Sequence, residues 1–180
     1  MPLICCDRMK LCNLKASFVF KQPIKTSKKK VLNFIIRHAP FTFTIYHHSP
    51  CLVNVTGVKS LNQLTLAQET IERKLQQQVD KIRIDNTFYS QKNFANVDLK
   101  QVYAFMKKSD MFNVEYHIEL FAGMYFHPKK ERYPTILFFR TGSYTMMGRT
   151  EQNILKECEM FVISLIKKFD KRVETSSNMV

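Results

Sequence analysis

The side chains that usually carry out chemistry are scattered in this chain and form no known reactive arrangement. The cysteines Cys5, Cys6, Cys12, Cys51 and Cys158 include no CxxC pair. We therefore expect neither a zinc site nor a disulfide scaffold, and a reducing compartment is the default. His47 and His48 are adjacent, but no second cluster completes a metal site. With only four glycines and no nucleotide-cradling or GxSxG motif, the sequence predicts a protein that is not an enzyme and holds no cofactor.

Recognition of a polyanion is the chemistry that the composition favours. The chain has 28 Lys and Arg against 15 Asp and Glu, a net charge of +13, and 15 phenylalanines that indicate a folded core. This balance predicts nucleic acid as the first partner, with an acidic protein or a membrane surface second. No apolar run approaches the roughly 20 residues of a membrane span, and "MPLICCDRMKLC" lacks the apolar core of a signal peptide.

Two similar segments must position the recognition residues. "GVKSLNQLTLAQETIERKLQQQ" (57–78) aligns with "GRTEQNILKECEMFVISLIKKF" (148–169), and both carry the apolar rhythm of an amphipathic helix. Ser60 with Gln63 resembles a capping box, and Thr150 is the expected N-cap of the second helix. The aligned apolar positions are Leu64, Ala67, Ile71 and Leu75 in the first helix, and Leu155, Cys158, Val162 and Ile166 in the second.

Short β-rich runs precede each predicted helix. The turns "HHSP" (47–50) and "RTG" (140–142) predict a hairpin in each half. Further upstream, "KLCNLKASFVF" (10–20) and "KIRIDNTFYS" (81–90) predict strands. Strict alternation places Leu11, Asn13 and Lys15 on one sheet face, and Ile84, Asn86 and Phe88 likewise on one face. Two such halves can join their strands into one antiparallel sheet with both helices on its back. The alternative is a generic α+β domain with accidental internal similarity.

The second half resembles a known family in its motifs. "VEYHIELFAGMYF" (114–126), then "ILFFRTGSYTMMG" (136–148) and the helix that follows, resembles the second repeat of the TATA-box binding protein family. "KIRIDN" resembles the strand that opens that repeat, and "VNVTGVKS" the equivalent part of the first repeat. The resemblance spans about residues 9–172, and its divergence suggests a relative encoded by a large DNA virus.

This resemblance implies a fold, a division of the chain and a function. The implied fold is α+β, a saddle in which two pseudo-symmetric repeats form one curved antiparallel sheet with helices on the convex face. Residues 1–79 would form a shortened first repeat, 80–172 the second, and 173–180 a tail. The implied function is a transcription initiation factor that binds and bends AT-rich double-stranded DNA through the minor groove. Phenylalanine wedges and a sharp kink belong to that family's mode of binding.

Site residues follow from the same resemblance. Phe121 and Phe139 match the wedge positions of the second repeat, Asn86 and Asn13 match the asparagines that bond base edges, and Met147 stands where the family has a threonine that Thr56 retains. The full expected DNA-binding set is Asn13, Tyr46, Thr56, Asn86, Phe88, Phe121, Leu137, Phe139, Thr145 and Met147.

The first repeat departs from the family pattern. The interval from Asn13 to Thr56 is shorter than that from Asn86 to Met147 by about the length of a helix. Tyr46 is its best wedge candidate, with Phe34 or Phe41 a poor second, and Lys15 stands at an apolar floor position. The basic run "KTSKKK" (25–30) fits a phosphate clamp, a nuclear-import signal or an exposed lysine-rich loop.

Partners and alternatives complete the expectation. The resemblance places Glu119 and Leu120 on the edge that contacts a TFIIB-like initiation factor and the RNA polymerase machinery, with no membrane partner. The protein would act in the nucleus, or in a cytoplasmic virus factory if it is viral. One alternative is a protein-interaction subunit of an initiation complex with weak or partner-dependent DNA binding. Another is an RNA-binding sheet, which the absence of an RNP1-like run disfavours.

Overall fold

The computed structural model describes residues 9–22, 33–46 and 51–172, which fall into two compact units. The N-terminal unit comprises Leu11–Thr87. Of the described residues, the C-terminal unit comprises 88–172 together with 9–10. The expected basic run at 25–30 and the turn at 47–50 lie outside the described residues.

The N-terminal unit contains four strands, one helix and the first part of a fifth strand. Its elements are β1 (Lys10–Phe20), β2 (Asn33–His38), β3 (Phe41–Tyr46), β4 (Cys51–Val58), α1 (Leu61–Leu75) and the first part of β5 (Lys81–Gln91). The pairs β2–β3, β3–β4 and β1–β4 are antiparallel, and Ser17 lies opposite Asn54 across β1 and β4.

The C-terminal unit repeats this plan with additions. After the end of β5 come α2 (Leu99–Met106), β6 (Phe112–Glu115), β7 (Gly123–Pro128), β8 (Thr135–Phe139), β9 (Tyr144–Gly148) and α3 (Gln152–Phe169). The pairs β6–β7, β7–β8 and β8–β9 are antiparallel. The order of the described strands is β2-β3-β4-β1-β5-β9-β8-β7-β6. In this order β1, β4, β3 and β2 correspond to β5, β9, β8 and β7.

Each unit has its own apolar core beneath one face of its strands. In the N-terminal unit, alternate residues of β1, β3 and β4 are buried against Leu64, Ala67 and Ile71 of α1. In the C-terminal unit, alternate residues of β7, β8 and β9 are buried against α3 and α2. Since successive strand residues point to opposite faces, the residues between them belong to the other face, which we call the open face of that unit.

A local signal explains how the first long helix begins. Ser60 Oγ accepts from the backbone N–H of Gln63 at 3.2 Å, so the capping role of Ser60 is confirmed. The second start differs from expectation, because Glu151 rather than Thr150 is the N-cap of α3 and makes no side-chain capping bond. A carboxylate near a helix N-terminus is favourable even without that bond, since it faces the positive end of the helix dipole.

The alternation predicted for β1 fails at one position. Leu11 and Ile84 pack against the core of the N-terminal unit, where Leu14 and Ala16 are also buried. Leu11 and Leu14 are an odd number of residues apart, so the predicted shared face of Leu11, Asn13 and Lys15 is wrong at Leu11. Burial of an apolar side chain outweighs the regular pleat near the start of a strand.

The described part of the chain contains neither a helix that could span a membrane nor a cluster of side chains that could bind a metal ion. None of its helices is long and apolar enough to cross a membrane. Nor do residues 9–22, 33–46 and 51–172 contain a group of three or more His, Cys, Asp or Glu side chains that could hold a metal ion.

Candidate nucleic-acid interface

The two expected wedges of the second repeat meet on the open face of the C-terminal unit. Phe139 follows the buried Phe138 on β8, so alternation turns it away from the core. Phe121 precedes β7 and is 40% exposed. Their ring centroids lie 5.9 Å apart at an interplanar angle of 65°, an edge-to-face contact. The structure therefore brings together two residues that the sequence singled out separately.

Gly123 makes room for this pair. It lies opposite Phe139 in the β7–β8 register. A Cβ at this position would stand 2.6 Å from Phe121 Cε1, 2.9 Å from Leu137 Cδ1 and 3.0 Å from Phe139 Cε1. The absence of a side chain at Gly123 thus allows two rings and a leucine to converge on one part of the open face.

A row of aromatic rings extends this surface beyond the residues that sequence reasoning identified. Tyr125 stacks on Phe121 at 5.7 Å, and His127 stacks on Tyr125 at 5.7 Å with an interplanar angle of 13°. His127 Nε2 lies 3.1 Å from Glu115 Oε2, which ties the end of the row to β6. Tyr125 and His127 were missed, although alternation with the buried Met124 and Phe126 would have placed both on the open face.

The expected apolar floor lies on neighbouring strands of the same unit. Leu137 lies opposite both Tyr125 on β7 and Thr145 on β9, and Met147 lies opposite Thr135. Leu137, Thr145 and Met147 are half-buried and alternate with the buried Ile136, Phe138, Tyr144 and Met146. All three therefore share the open face with the phenylalanine pair. Phe88, on β5, is also half-buried.

The expected partner residues lie in an exposed turn just before Phe121. The backbone N–H groups of Leu120 and Phe121 both donate to the carbonyl oxygen of His117, at 3.0 and 2.9 Å, which closes the turn. Glu119 is exposed, and Leu120 is 83% exposed with Ile118 nearby at 57%. The turn presents an acidic and two apolar side chains to solvent on a backbone fixed by hydrogen bonds.

The open face of the N-terminal unit is more polar. Tyr46 and Thr56 alternate with core residues of β3 and β4 and lie on this face, where Thr56 is opposite Thr42 and Tyr46 is opposite Leu52. Phe41 is buried and Phe34 packs against the core, so neither can serve as the second wedge that was considered for this repeat. Of the three aromatic residues of β3, Phe41 and Phe43 are buried and Tyr46 lies on the open face.

Asn13 and Asn86 share an unusual environment. The Oδ1 atoms of both side chains are buried and have no hydrogen-bond partner. A buried acceptor without a donor costs about 1–3 kcal/mol, and such atoms in native proteins generally have an explanation. The two asparagines occupy matching positions of the two repeats, so the same cost is incurred twice. This pairing supports a role toward an external hydrogen-bond donor.

A polar cluster that the sequence did not reveal lies on the open face of the N-terminal unit. We use "polar cluster" for Ser17, Asn54 and Asp85. Ser17 Oγ is 2.9 Å from Asn54 Oδ1 and also hydrogen-bonds to Asp85 Oδ2, while Arg83 Nε donates to Asp85 Oδ1 at 2.7 Å. Ser17 is 1% exposed. Three strands contribute these residues, and no local motif links them.

Charged contacts fix the end of α3 in the C-terminal unit. Arg172 hydrogen-bonds to Asp170 through Nε and Nη2 and lowers the pKa of that carboxyl to about 2, with the Asn96 N–H assisting. The hydrogen bond from Lys171 likewise lowers the pKa of Asp98, the N-cap of α2. In the core, burial raises the pKa of the Cys158 thiol to about 12, so this cysteine has no reactive thiolate.

Comparison with known proteins identifies the fold. No family model matches the chain, and no curated protein matches it significantly. The fold described above is that of a two-repeat α+β sheet protein. Among solved structures, Methanococcus jannaschii TBP matches with a TM-score of 0.69 at 17% sequence identity, over 89% of this chain and 99% of that chain.

The match confirms the predicted fold class, and it confirms the resemblance to the TATA-box binding protein family at the level of the fold. The DNA-binding and partner-binding roles of individual residues stay predictions.

Proposed function

We propose that this chain is a non-enzymatic transcription initiation factor that binds and bends AT-rich duplex DNA through the minor groove. In this proposal residues 1–79 and 80–172 are its two repeats, and the open faces of the strands contact the DNA. The protein acts in the nucleus, or in a cytoplasmic virus factory if a virus encodes it.

The observation that carries this proposal is the pair of Phe121 and Phe139 on an open face. Two phenylalanines that meet outside a core, with a glycine beneath them, form an apolar projection on a protein of net charge +13. Minor-groove proteins insert such side chains between base steps and kink the duplex, and the cost of unstacking is repaid by the contact area that the bent DNA gains. Basic residues supply the attraction to phosphates.

The floor around the pair agrees with this mode of binding. Leu137, Thr145 and Met147 offer a mostly apolar surface to a groove in which A·T pairs present only acceptors. Such a surface tolerates A·T pairs but leaves the amino group of guanine without a partner. This is the physical reason for a preference for AT-rich sequence at the C-terminal unit.

Recruitment of other factors is assigned to the turn before Phe121. Glu119 and Leu120 project to solvent on a backbone held by two hydrogen bonds to His117. An exposed leucine beside a carboxylate suits a small interface with a basic and apolar partner surface. We propose that a TFIIB-like factor, and through it the polymerase machinery, docks here.

A binding comparison tests the proposal. Affinity is measured for AT-rich duplex, GC-rich duplex and single-stranded RNA across a salt series, and the DNA bend is followed by energy transfer between dyes at the duplex ends. We expect tighter binding to AT-rich duplex and a shorter end-to-end distance. Equal affinity for both duplexes without bending would remove the DNA-reading role.

A second candidate function rests on a specific observation. The open face of the N-terminal unit bears Thr42, Thr44 and Asn54 beside Thr56, and is more polar than the floor of the C-terminal unit with Leu137 and Met147. Such a face suits a protein-interaction subunit of an initiation complex in which DNA binding is weak or depends on a partner. Binding of AT-rich duplex only after addition of an initiation factor would favour this function.

A further inference from the structure

The polar cluster is unusual for its position in the sheet. Asparagine and aspartate are depleted in strands, yet β1, β4 and β5 place Asn13, Asn54, Asp85 and Asn86 in one unit. Asn54 lies between the core residues Val53 and Val55, and Ser17 between Ala16 and Phe18. Alternation therefore puts the Ser17–Asn54 pair on the open face, and the hydrogen bond to Ser17 brings Asp85 to the same face.

The hydroxyl group of Ser17 cannot satisfy both acceptors that lie next to it. Ser17 has a single hydroxyl proton, yet Asn54 Oδ1 and Asp85 Oδ2 both lie within hydrogen-bond distance of Oγ. Arg83 donates to the other carboxylate oxygen, which leaves lone pairs on both oxygens of Asp85. Asn13, four residues before Ser17 on β1, adds a buried Oδ1 acceptor without a partner on the same face. Asn54 Oδ1 and the carboxylate of Asp85 therefore keep acceptor capacity that an external hydrogen-bond donor can use.

The minor groove contains one base donor that can meet this need. A·T pairs display only the N3 and O2 acceptors there, whereas G·C adds the N2 amino group of guanine. We propose that the polar cluster selects a G·C pair at one position of the bound duplex, with Asp85 and Asn54 accepting from the guanine amino group. This inference rests on the proposed minor-groove binding and adds a specificity that the apolar floor of the C-terminal unit does not have.

The charge of Asp85 favours a G·C pair over an A·T pair at this position. An A·T pair at this position would oppose its acceptors to a carboxylate and leave the carboxylate without a compensating donor. Hydrogen bonds with a charged partner are stronger than neutral ones. Arg83 balances the charge of Asp85 locally, so the carboxylate need not exclude DNA as a whole. The bound sequence is therefore asymmetric, AT-rich at the C-terminal unit with a required G·C pair at the N-terminal unit.

Inosine provides a direct test, because it differs from guanine only by the missing N2 amino group. In an otherwise AT-rich duplex, each base pair in turn is replaced by G·C or by I·C, and affinity is measured for the full chain. We expect one position at which G·C binds about tenfold more tightly than I·C, the discrimination that one good base contact gives. At the remaining positions I·C should bind as well as G·C or better.

Two variants connect that position to the cluster. Asp85→Asn keeps the size of the side chain and removes its charge, while Asn54→Val replaces the second acceptor by a residue with high strand propensity. Asp80→Asn is the matched control, because Asp80 lies in the same unit, is exposed and pairs with Lys21. Thermal melts identify any variant that fails to fold. If one of the two variants does not fold, the G·C preference of the other shows whether the cluster is responsible.

The outcomes separate this inference from the function on which it rests. A G·C preference over I·C that falls in Asp85→Asn or Asn54→Val, and persists in Asp80→Asn, supports it. Binding and bending of duplex without any position that favours G·C, or with a preference unchanged in both variants, overturns the inference and leaves the proposed function intact. A chain that binds no duplex overturns both.

Discussion

Phe121 and Phe139 touch edge to face, although one lies before β7 and the other ends β8. The contact couples the two rings, because each limits the rotamers that the other can adopt. Residues in contact commonly show non-additive energies. The pair therefore acts as one projecting unit rather than as two independent wedges.

The first prediction concerns this pair. Phe121→Ala and Phe139→Ala should each reduce DNA bending strongly, and the double variant should lose little more than either single variant. Energy transfer across the duplex measures the bend. Phe138→Ala is the control, since Phe138 is buried next to Phe139 and its loss should cost about 3–5 kcal/mol of stability. Stability losses of that size in the Phe121 and Phe139 variants would place both rings in the core instead.

The second prediction concerns the glycine beneath the pair. Gly123→Ala introduces a Cβ at distances of 2.6–3.0 Å from three side chains, so Phe121 must move. We expect a weaker bend with a modest change in melting temperature. Ala122→Ser, at the exposed neighbouring position, should leave the bend unchanged. When Phe121 is already replaced by Ala, Gly123→Ala should reduce the DNA bend by less. If Gly123→Ala reduces the bend equally in both backgrounds, Gly123 acts through another contact.

The third prediction concerns the exposed turn. Glu119→Arg and Leu120→Ala should retain DNA binding and lose capture of a TFIIB-like factor on the preformed protein–DNA complex. Charge reversal at Glu131, which is exposed in the turn before β8, is the control for a general change of net charge. Gel-shift titration of the factor measures the effect. Capture that is equal in the Glu119 and Glu131 variants would remove the turn as the docking site.

The fourth prediction concerns acid stability. Arg172 lowers the pKa of Asp170 from its ordinary value of 3.8 to about 2 in the folded chain. A depressed folded pKa stabilises the protein above the unfolded pKa, so this stabilisation is present at pH 7 and is lost as the pH falls from about 4 to 2. Asp170→Asn should therefore lower the free energy of unfolding by on the order of 2 kcal/mol at pH 7.

Denaturant unfolding at several pH values measures this effect. The difference between Asp170→Asn and the parent chain should narrow toward pH 2, where Asp170 becomes protonated in the folded chain as well. Asp110→Asn, at an exposed position, should follow the parent chain throughout. A constant difference across the pH range would show that packing at Asp170, rather than its charge, provides the stability.

Much of the fold could be predicted from the sequence because its signals are local and repeated. The helix apolar positions, the Ser60 cap and the β8–β9 turn follow from periodicity and turn chemistry within short windows. The aligned glycines are a further case, since Gly57 and Gly148 both have positive φ, at 87° and 142°. Gly148 is the last residue of β9 and Gly57 the last but one of β4, and at both positions an L side chain would be strained.

The features that could not be predicted from the sequence depend on contacts between segments that are far apart in the chain. Ser17, Asn54 and Asp85 come from three strands, and no sequence motif around any one of them predicts contact with the other two. The stack of Phe121, Tyr125 and His127 required knowledge of where β7 begins. The N-cap of α3 was misplaced by one residue, because an uncapped start leaves no side-chain signature to distinguish Thr150 from Glu151.

The strand order gives the two halves different tendencies toward self-association. In the C-terminal unit, β6 hydrogen-bonds to the outer edge of β7, whereas no other described strand pairs with the outer edge of the equivalent β2. Exposed strand edges serve as templates on which a second chain can add a strand, and charged side chains on the edge discourage this. Arg37 on β2 is such a charge, beside the exposed Ile35. The outermost strand of the C-terminal unit is the four-residue β6, Phe112–Glu115, whereas that of the N-terminal unit is the six-residue Asn33–His38, so the N-terminal unit offers the longer edge to a second chain.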